Sequence, residues 1–437
     1  MGHRRLAGAG RCGAGDGRAG GPVNLPLSPD RLWDRLMAMA RIGATPEGGN
    51  NRPALSALDG EARALLARWG GEIGLTLSVD RLGNMALRRE GRDPARPPVL
   101  VGSHLDTQPS GGKFDGPYGV LAGLEILHAL HESGTVTEAP IVLVNWTSEE
   151  GCRFSPSMIG AAGAMGVLPE NEVLDRRALD DGERYGNALA ATGWAGSADP
   201  AGLRTAAAYF EAHIEQGPVL EAEGFDLGIV TGGFATERAL VTVTGETSHA
   251  GTTPMEMRRD AVLAAAEMIS AGERILYDRA PDGRMTICRF MADPGADGVV
   301  PGGARFAFEY RHPENATLAA LLAEADAAFA GIAARRRVVV RREPYWSFPR
   351  VGFDAALAAR LREAATRHGA RHRDMLSGAG HDAYHAAACM PAVMLFIPCH
   401  GGISHHPSES ISRAWADIGL RVLADAVVAT ANSKDRV

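Results

Sequence analysis

The chain has 437 residues, a formal net charge of −7, 45% hydrophobic and 22% charged residues. At roughly 100–200 residues per domain the length predicts two domains, and the composition is that of an ordinary globular protein. The acidic balance excludes a nucleic-acid footprint, and no apolar run reads as long enough to span a bilayer.

Five cysteines, Cys12, Cys152, Cys288, Cys389 and Cys399, are odd in number and show no CxxC spacing. This excludes a disulfide framework or zinc ribbon and predicts reduced thiols in the cytoplasm. The N-terminal stretch is rich in Gly and Arg and lacks the apolar core of a secretory signal, so residues 1–25 are expected to be a disordered tail. Gly8, Gly10 and Gly13 spell GxGxxG, but no strand precedes them and no βαβ unit follows. The match is chance, which removes a dinucleotide-dependent oxidoreductase.

Ser28 is placed to cap a helix that carries Leu32, Leu36 and Ala40 on one face. LDGEARALLARWGGEIG repeats the helical pattern, and LTLSVDRLGNMALRRE reads as two strands joined at Leu82-Gly83-Asn84. PPVLVGSH, APIVLVNWTSEE and PAVMLFIPCHGGISHH each begin with a continuous apolar β-rich run, the mark of a strand buried on both faces. Each run ends in polar, ionisable residues, and ligands of open α/β sheets bind beyond the carboxyl ends of strands. Between Thr231 and Tyr345 the order strand-helix-strand-strand-helix-strand predicts a ferredoxin-like module, inserted because PAVMLFIP must rejoin the first sheet.

The ionisable clusters carry the chemistry. GSHLDT puts His104 and Asp106 just past a strand end, two apart and so on one side of an extended chain. A carboxylate there can orient a metal-bound imidazole. Asp115 follows in a Gly-rich loop before a helix. Glu149 and Glu150 sit together at another strand end, costly unless a cation or proton relieves them, so one could bind metal while the other serves as base. His213 lies near the end of a further strand and His405 just past the last. Alone, each has an ordinary reading as a turn, cap or buried residue. Together they form a nitrogen and oxygen ligand set without thiolate, suited to Zn, Mn, Co or Ni.

GSHLDTQPSGGKFDG, TSEEGCRFSPSMIGA, HIEQGPVLE, HAGTTPMEMRRDA, SGAGHDA and GISHHPSE occur in that order. With these motifs the chain resembles, from about Leu27 to the C-terminal helix, the hydantoinase/carbamoylase family of dinuclear amidohydrolases. The resemblance implies a mixed-sheet α/β metallohydrolase catalytic domain over 26–230 and 346–437. The ferredoxin-like α+β module over 231–345 would be its lid and dimerisation domain. It also implies two divalent metal ions per subunit, bridged by Asp115 and held by His104, His405, Glu150 and His213. Glu149 would be the general base and Asp106 the support of His104. Gln216, His249 and Arg311 would bind a small ureido substrate, with Arg311 on its carboxylate. The family points to a homodimer in which His249 could come from the partner.

The texture of TQPSGGKFDG with EEGCRFSPSMIGA is similar to that of N-carbamoyl-L-amino acid hydrolases and β-ureidopropionases, which would release amino acid, ammonia and carbon dioxide. Allantoate or ureidoglycine hydrolysis is the alternative, ahead of an aminoacylase, a dipeptidase or an inactive binding protein. Two positions depart from the family pattern: Gly298 stands where Asn is expected, and Glu309 where Asp is usual.

Overall fold

A computed structural model of the chain describes residues 25–433. The expected tail, Leu25 excepted, and Cys12 lie outside the described residues. Helix Pro29–Ala40 opens on Ser28, whose side chain accepts a hydrogen bond from the Arg31 amide, and it buries Leu32, Leu36 and Ala40. Thr76–Val79 and Met85–Arg89 form the expected hairpin.

The main sheet is mixed. Its strand order is Thr76–Val79, Met85–Arg89, Ile141–Trp146, Val99–His104, Ala208–Ile214, Ala392–Ile397, Leu227–Gly233, Val351–Gly352, and His372–Ser377 also pairs with Leu227–Gly233. The four central strands, Ile141–Trp146 through Ala392–Ile397, run parallel and are buried at every residue. Their continuous apolar runs are what a two-sided sheet requires. Helices Pro117–Glu132, Ala355–Arg367 and Arg413–Asn432 pack against the sheet and against one another. The carboxyl ends of the parallel strands therefore share one edge.

The second sheet is antiparallel, in the order Val339–Phe348, Ala235–Thr244, Gly303–His312, Arg284–Asp293. Helices Ala261–Arg279 and Asn315–Arg336 cover one face, burying Phe306, Phe308, Leu321 and Phe329. Helix Asn315–Arg336 corrects one expectation, for by length and composition it could cross a membrane. Its apolar character comes from small alanines, which build length without a conspicuous run of large side chains, and Leu318, Leu321, Leu322 and Phe329 face the module's core.

A module boundary at Tyr345 is also corrected, because strand Val339–Phe348 runs through it. Pro344 reads as a strand end because it has no ladder amide, but on an edge strand it is tolerated. Pairing resumes beyond it: Pro344 faces Ala239 and Trp346 faces Arg238, leaving Tyr345 as an extra, bulged residue. The opposite edge strand has a matching irregularity, where Ile287 faces Phe308 and Arg289 faces Ala307, with Cys288 bulged between them.

Candidate active site

Each ionisable side chain owes its place to a strand end or the loop after it. His104 closes strand Val99–His104, and His213 lies one residue from the end of Ala208–Ile214. Glu149 and Glu150 follow Ile141–Trp146, His405 follows Ala392–Ile397, and Asp115 sits in the loop before helix Pro117–Glu132. Asp115 is the hub. Its Oδ1 lies 3.0 Å from His213 Nε2 and 3.6 Å from His104 Nε2, and its Oδ2 lies 3.1 Å from His405 Nε2. Glu150 Oε2 is 3.4 Å from His405 Nε2, and Glu149 Oε2 is 3.6 Å from His104 Nε2.

The donors thus form two sets that share Asp115: His104, Asp115 and His213, and Asp115, Glu150 and His405, with ligand atoms within 4.8 Å of one another. Imidazole and carboxylate donors without thiolate fit borderline divalent cations, and a shared carboxylate between two sets fits a pair of them. His104 Nδ1 lies 2.9 Å from the Asp106 carbonyl and His213 Nδ1 lies 2.9 Å from the Ile214 carbonyl. Both rings can donate from Nδ1 and turn a bare Nε2 to the centre, the outer-shell arrangement expected around a metal. His406 points elsewhere, to Ser408.

The electrostatics describe the same crowding. Burial pushes the Glu149 carboxyl well above its usual range, helped by Asp382, Glu150 and Asp106 against the pull of His104. Burial would lower His405, but Glu150 and Asp115 overcome it and raise the imidazole to about 10. Asp115 is held well below the carboxylate range, because its three histidines outweigh the cost of burial. Carboxylates that favour positive charge on the gathered histidines would equally favour cations held by them.

The backbone is strained here. Gln216 (φ 57°), His405 (φ 54°) and Ser148 (φ 59°) are non-glycine residues in the left-handed region, and such strain clusters at functional sites. Gly116 (φ 82°) is required twice over, since a Cβ there would stand 2.4 Å from the His104 ring.

A cavity of about 460 Å³ runs from this cluster to the open face of the second sheet. Arg311 lines it, fixed by Glu309 Oε1 at 2.8 Å and the Gly378 carbonyl at 2.8 Å. Glu309 also accepts from Arg238 Nε at 2.7 Å, and Arg238 stacks on Trp346. Both edge-strand bulges open onto the cavity, so Cys288 with Arg289 and Tyr345 with Trp346 line it as consecutive pairs. Gln216 lines it too, with Nε2 donating to Asp115 Oδ2 at 2.7 Å. His249 is not brought here. It is exposed, is absent from the cavity wall, and its Nδ1 accepts from the Gly251 amide.

Residues 100–429 match the model of peptidase family M20/M25/M40. The chain belongs to this family. It is 42% identical over 408 residues to an N-carbamoyl-L-amino-acid amidohydrolase of Rhizobium meliloti, covering 93% of this chain and 98% of that one. It is 34% identical over 397 residues to the allantoate amidohydrolase of Bacillus subtilis, covering 90% and 96%. The crystal structure of an amidase of the hydantoinase/carbamoylase family from Burkholderia vietnamiensis has a TM-score of 0.90 at 43% identity, covering 93% of this chain and 98% of that one.

Within this M20 site, Asp106 differs from its expected place. Its carboxylate Oδ1 is 3.8 Å from His104 Nδ1, and its backbone carbonyl is the nearer partner. The carboxylate instead accepts from the Glu149 and Glu150 amides, one on each oxygen at 3.2 Å. The carboxylate holds the Glu149 and Glu150 backbone, while the hydrogen-bonded partner of the imidazole is the Asp106 carbonyl.

Three supporting residues escaped the sequence reading. Gln108 donates to Glu150 from both its amide and its side chain. Glu409 accepts from the Phe114 and Asp115 amides. Ser404 Oγ lies 2.9 Å from Asp115 and 2.9 Å from Glu409. All three sit inside motifs already singled out, beside more conspicuous neighbours. Gly298 has φ 77°, a conformation that Gly and Asn adopt more readily than other residues, so Gly in place of Asn keeps the backbone and removes only a side-chain amide.

Proposed function

We propose that this protein hydrolyses the carbamoyl C–N bond of N-carbamoyl-L-amino acids, releasing amino acid, ammonia and carbon dioxide. The observation that carries the reading is one cavity lined both by donors of the two sets and by the guanidinium of Arg311, which would take the substrate carboxylate. A ureido acid has a hydrolysable carbonyl and a carboxylate at matching ends.

His104, Asp115, Glu150, His213 and His405 would hold two divalent cations per subunit, of the Zn, Mn, Co or Ni kind. Such cations supply Lewis acidity for the carbonyl and bring the pKa of a water toward neutrality. The protein's own groups do the rest. Glu149, buried and facing the donor set, takes the proton from the attacking water and returns it to the leaving nitrogen. Asp106 fixes the Glu149 backbone. Arg311, itself fixed by Glu309, sets the carboxylate and so the distance of the ureido carbonyl from Glu149. Gln216 can exchange its bond to Asp115 for one to the ureido oxygen.

His249 lies outside the wall of this cavity, and we assign it to the site of a partner subunit, where it would stabilise the developing oxyanion. The exposed edge strands of the second sheet, with Phe290, Met291 and Val339 uncovered, suit pairing in a homodimer. The module would then act as a lid, closing on substrate. The four described cysteines carry free thiols, consistent with the cytoplasm.

Allantoate remains the competing substrate, because the Bacillus subtilis relative is matched over nearly the same length. Ammonia release by metal-reconstituted protein from N-carbamoyl-L-amino acids, N-carbamoyl-β-alanine, allantoate and N-acetyl-L-amino acids decides between them. Turnover of the N-acetyl compounds alone would sink the carbamoylase reading.

A further inference from the structure

The open face of the second sheet is more positive than a monocarboxylate needs. Three guanidinium groups line the cavity there, those of Arg238, Arg289 and Arg311. One carboxylate, Glu309, lines it with them and is shared between Arg238 and Arg311. The substrate's α-carboxylate accounts for one of the two remaining charges. Arg289 is left over. Among the described residues no hydrogen bond or ion pair joins it to a protein carboxylate. Glu343, at the far end of the same row across the sheet, is separated from it by Leu240 and Ala307.

Its place in the cavity is built into the backbone. Before the bulge, Met285 and Ile287 pack toward the helices, and beyond it Phe290 stacks on buried Phe306. Strict alternation would have sent Arg289 to the helix side with Ile287. The extra residue, Cys288, turns it to the cavity instead, the kind of re-aiming for which β-bulges beside active sites are known. Along strand Gly303–His312, Arg289 faces Ala307, four residues from Arg311 on the same side. That is about 13 Å of backbone, a span across which two long arginine stems converge on a short dicarboxylate.

We propose that this cavity prefers ureido acids carrying a second carboxylate, with Arg289 as the group that recognises it. The inference rests on the ureido-acid reading and names its substrate class. A guanidinium with no protein carboxylate to pair with rewards an anion over the neutral amide of the same shape.

The test compares kcat/KM for N-carbamoyl-L-glutamate against N-carbamoyl-L-glutamine, and for N-carbamoyl-L-aspartate against N-carbamoyl-L-asparagine, with the metal-loaded full chain. The better pair is expected to favour the acid by about tenfold or more, in line with a charged hydrogen bond of about 1.5 kcal/mol or above. Arg289→Gln should bring that ratio to near unity, while Arg289→Lys, which keeps the charge, should keep a clear preference for the acid. Product inhibition by L-glutamate against L-glutamine reads the same ratio independently of turnover. A wild-type ratio at or below one, or a ratio unmoved by Arg289→Gln, overturns the inference while neutral ureido acids are still hydrolysed. Failure to hydrolyse any ureido acid overturns the inference together with the carbamoylase reading.

Discussion

Asp106→Asn separates the observed role of this residue from the imidazole-supporting role its spacing suggests. The aspartate is 2% exposed, and its two oxygens each accept one backbone amide, from Glu149 and Glu150 at 3.2 Å. Asparagine keeps the shape but has one acceptor oxygen. Its amide group would face one of the two backbone N–H groups donor to donor. A buried donor left unsatisfied costs about 1–3 kcal/mol. Burial already holds the Asp106 carboxyl above its usual range, so removing the charge returns part of that cost. The net loss should fall near about 1 kcal/mol, or about one degree of Tm for a chain of this length.

The functional loss should be larger, because the same swap releases Glu149 and Glu150 together. Loss of such an outer-shell partner typically costs about 10–100-fold in metal affinity or activity. His104 should keep its orientation, since its Nδ1 partner is a backbone carbonyl that the substitution leaves in place. The assay is ammonia release under saturating metal, with metal affinity by competition against a chelator and Tm by calorimetry. A variant with kcat and metal affinity both within twofold of wild type would refute the bridging role.

Glu149→Gln should lower kcat by about 10²–10⁴-fold, the usual worth of a positioned base, while metal content by mass spectrometry stays at the wild-type level. Loss of metal together with activity would make it a ligand instead. Arg311→Ala should act mainly on KM, raising it about tenfold or more, because a carboxylate clamp holds ground and transition states alike; an equal fall in kcat would count against that role. His249→Ala should act on kcat, and mixing inactive His249→Ala subunits with inactive Glu149→Gln subunits should restore activity if sites are shared. No recovery from a confirmed mixed dimer would end the shared-site idea. His385 is buried against Phe348, and burial lowers its imidazole to about 4. A depressed folded pKa means stability that is complete above the unfolded value near 6.5 and is lost as pH falls toward 4. His385→Phe should therefore flatten the decline of unfolding free energy between those pH values, by roughly 3 kcal/mol at 1.36 kcal/mol per unit; an unchanged decline would show that the ring is hydrated.

The strands that carry the site were legible because burial on both faces writes itself into sequence. VLVGSH and AVMLFI have no polar alternation, and each is buried throughout. The ionisable residues after them stood out by contrast. What was hidden depends on pairing rather than composition. Gln108 and Glu409 look like loop residues, and only the approach of segments hundreds of residues apart puts Glu409 under the Asp115 amide. The two bulges were equally invisible, because a bulge is a relation between two strands and TICRF or EPYWS shows only one. The Asp106 bonds to the Glu149 and Glu150 amides were hidden for the same reason, since spacing reports the neighbour in sequence and not the loop that arrives from another strand.

The bulges also affect how this protein could change. A regular strand gives every second residue to each face, so altering a cavity wall soon runs into the positions that hold the helices. At residues 288–289 and 345–346 two successive side chains face the same way. These four positions can be rewritten in adjacent pairs, exchanging charge, size or reach, while Phe306, Phe308 and Phe329 keep the packed side unaltered. A library confined to them would explore new substrates at little risk to folding, and natural relatives diverging in specificity would be expected to differ there before they differ in the core.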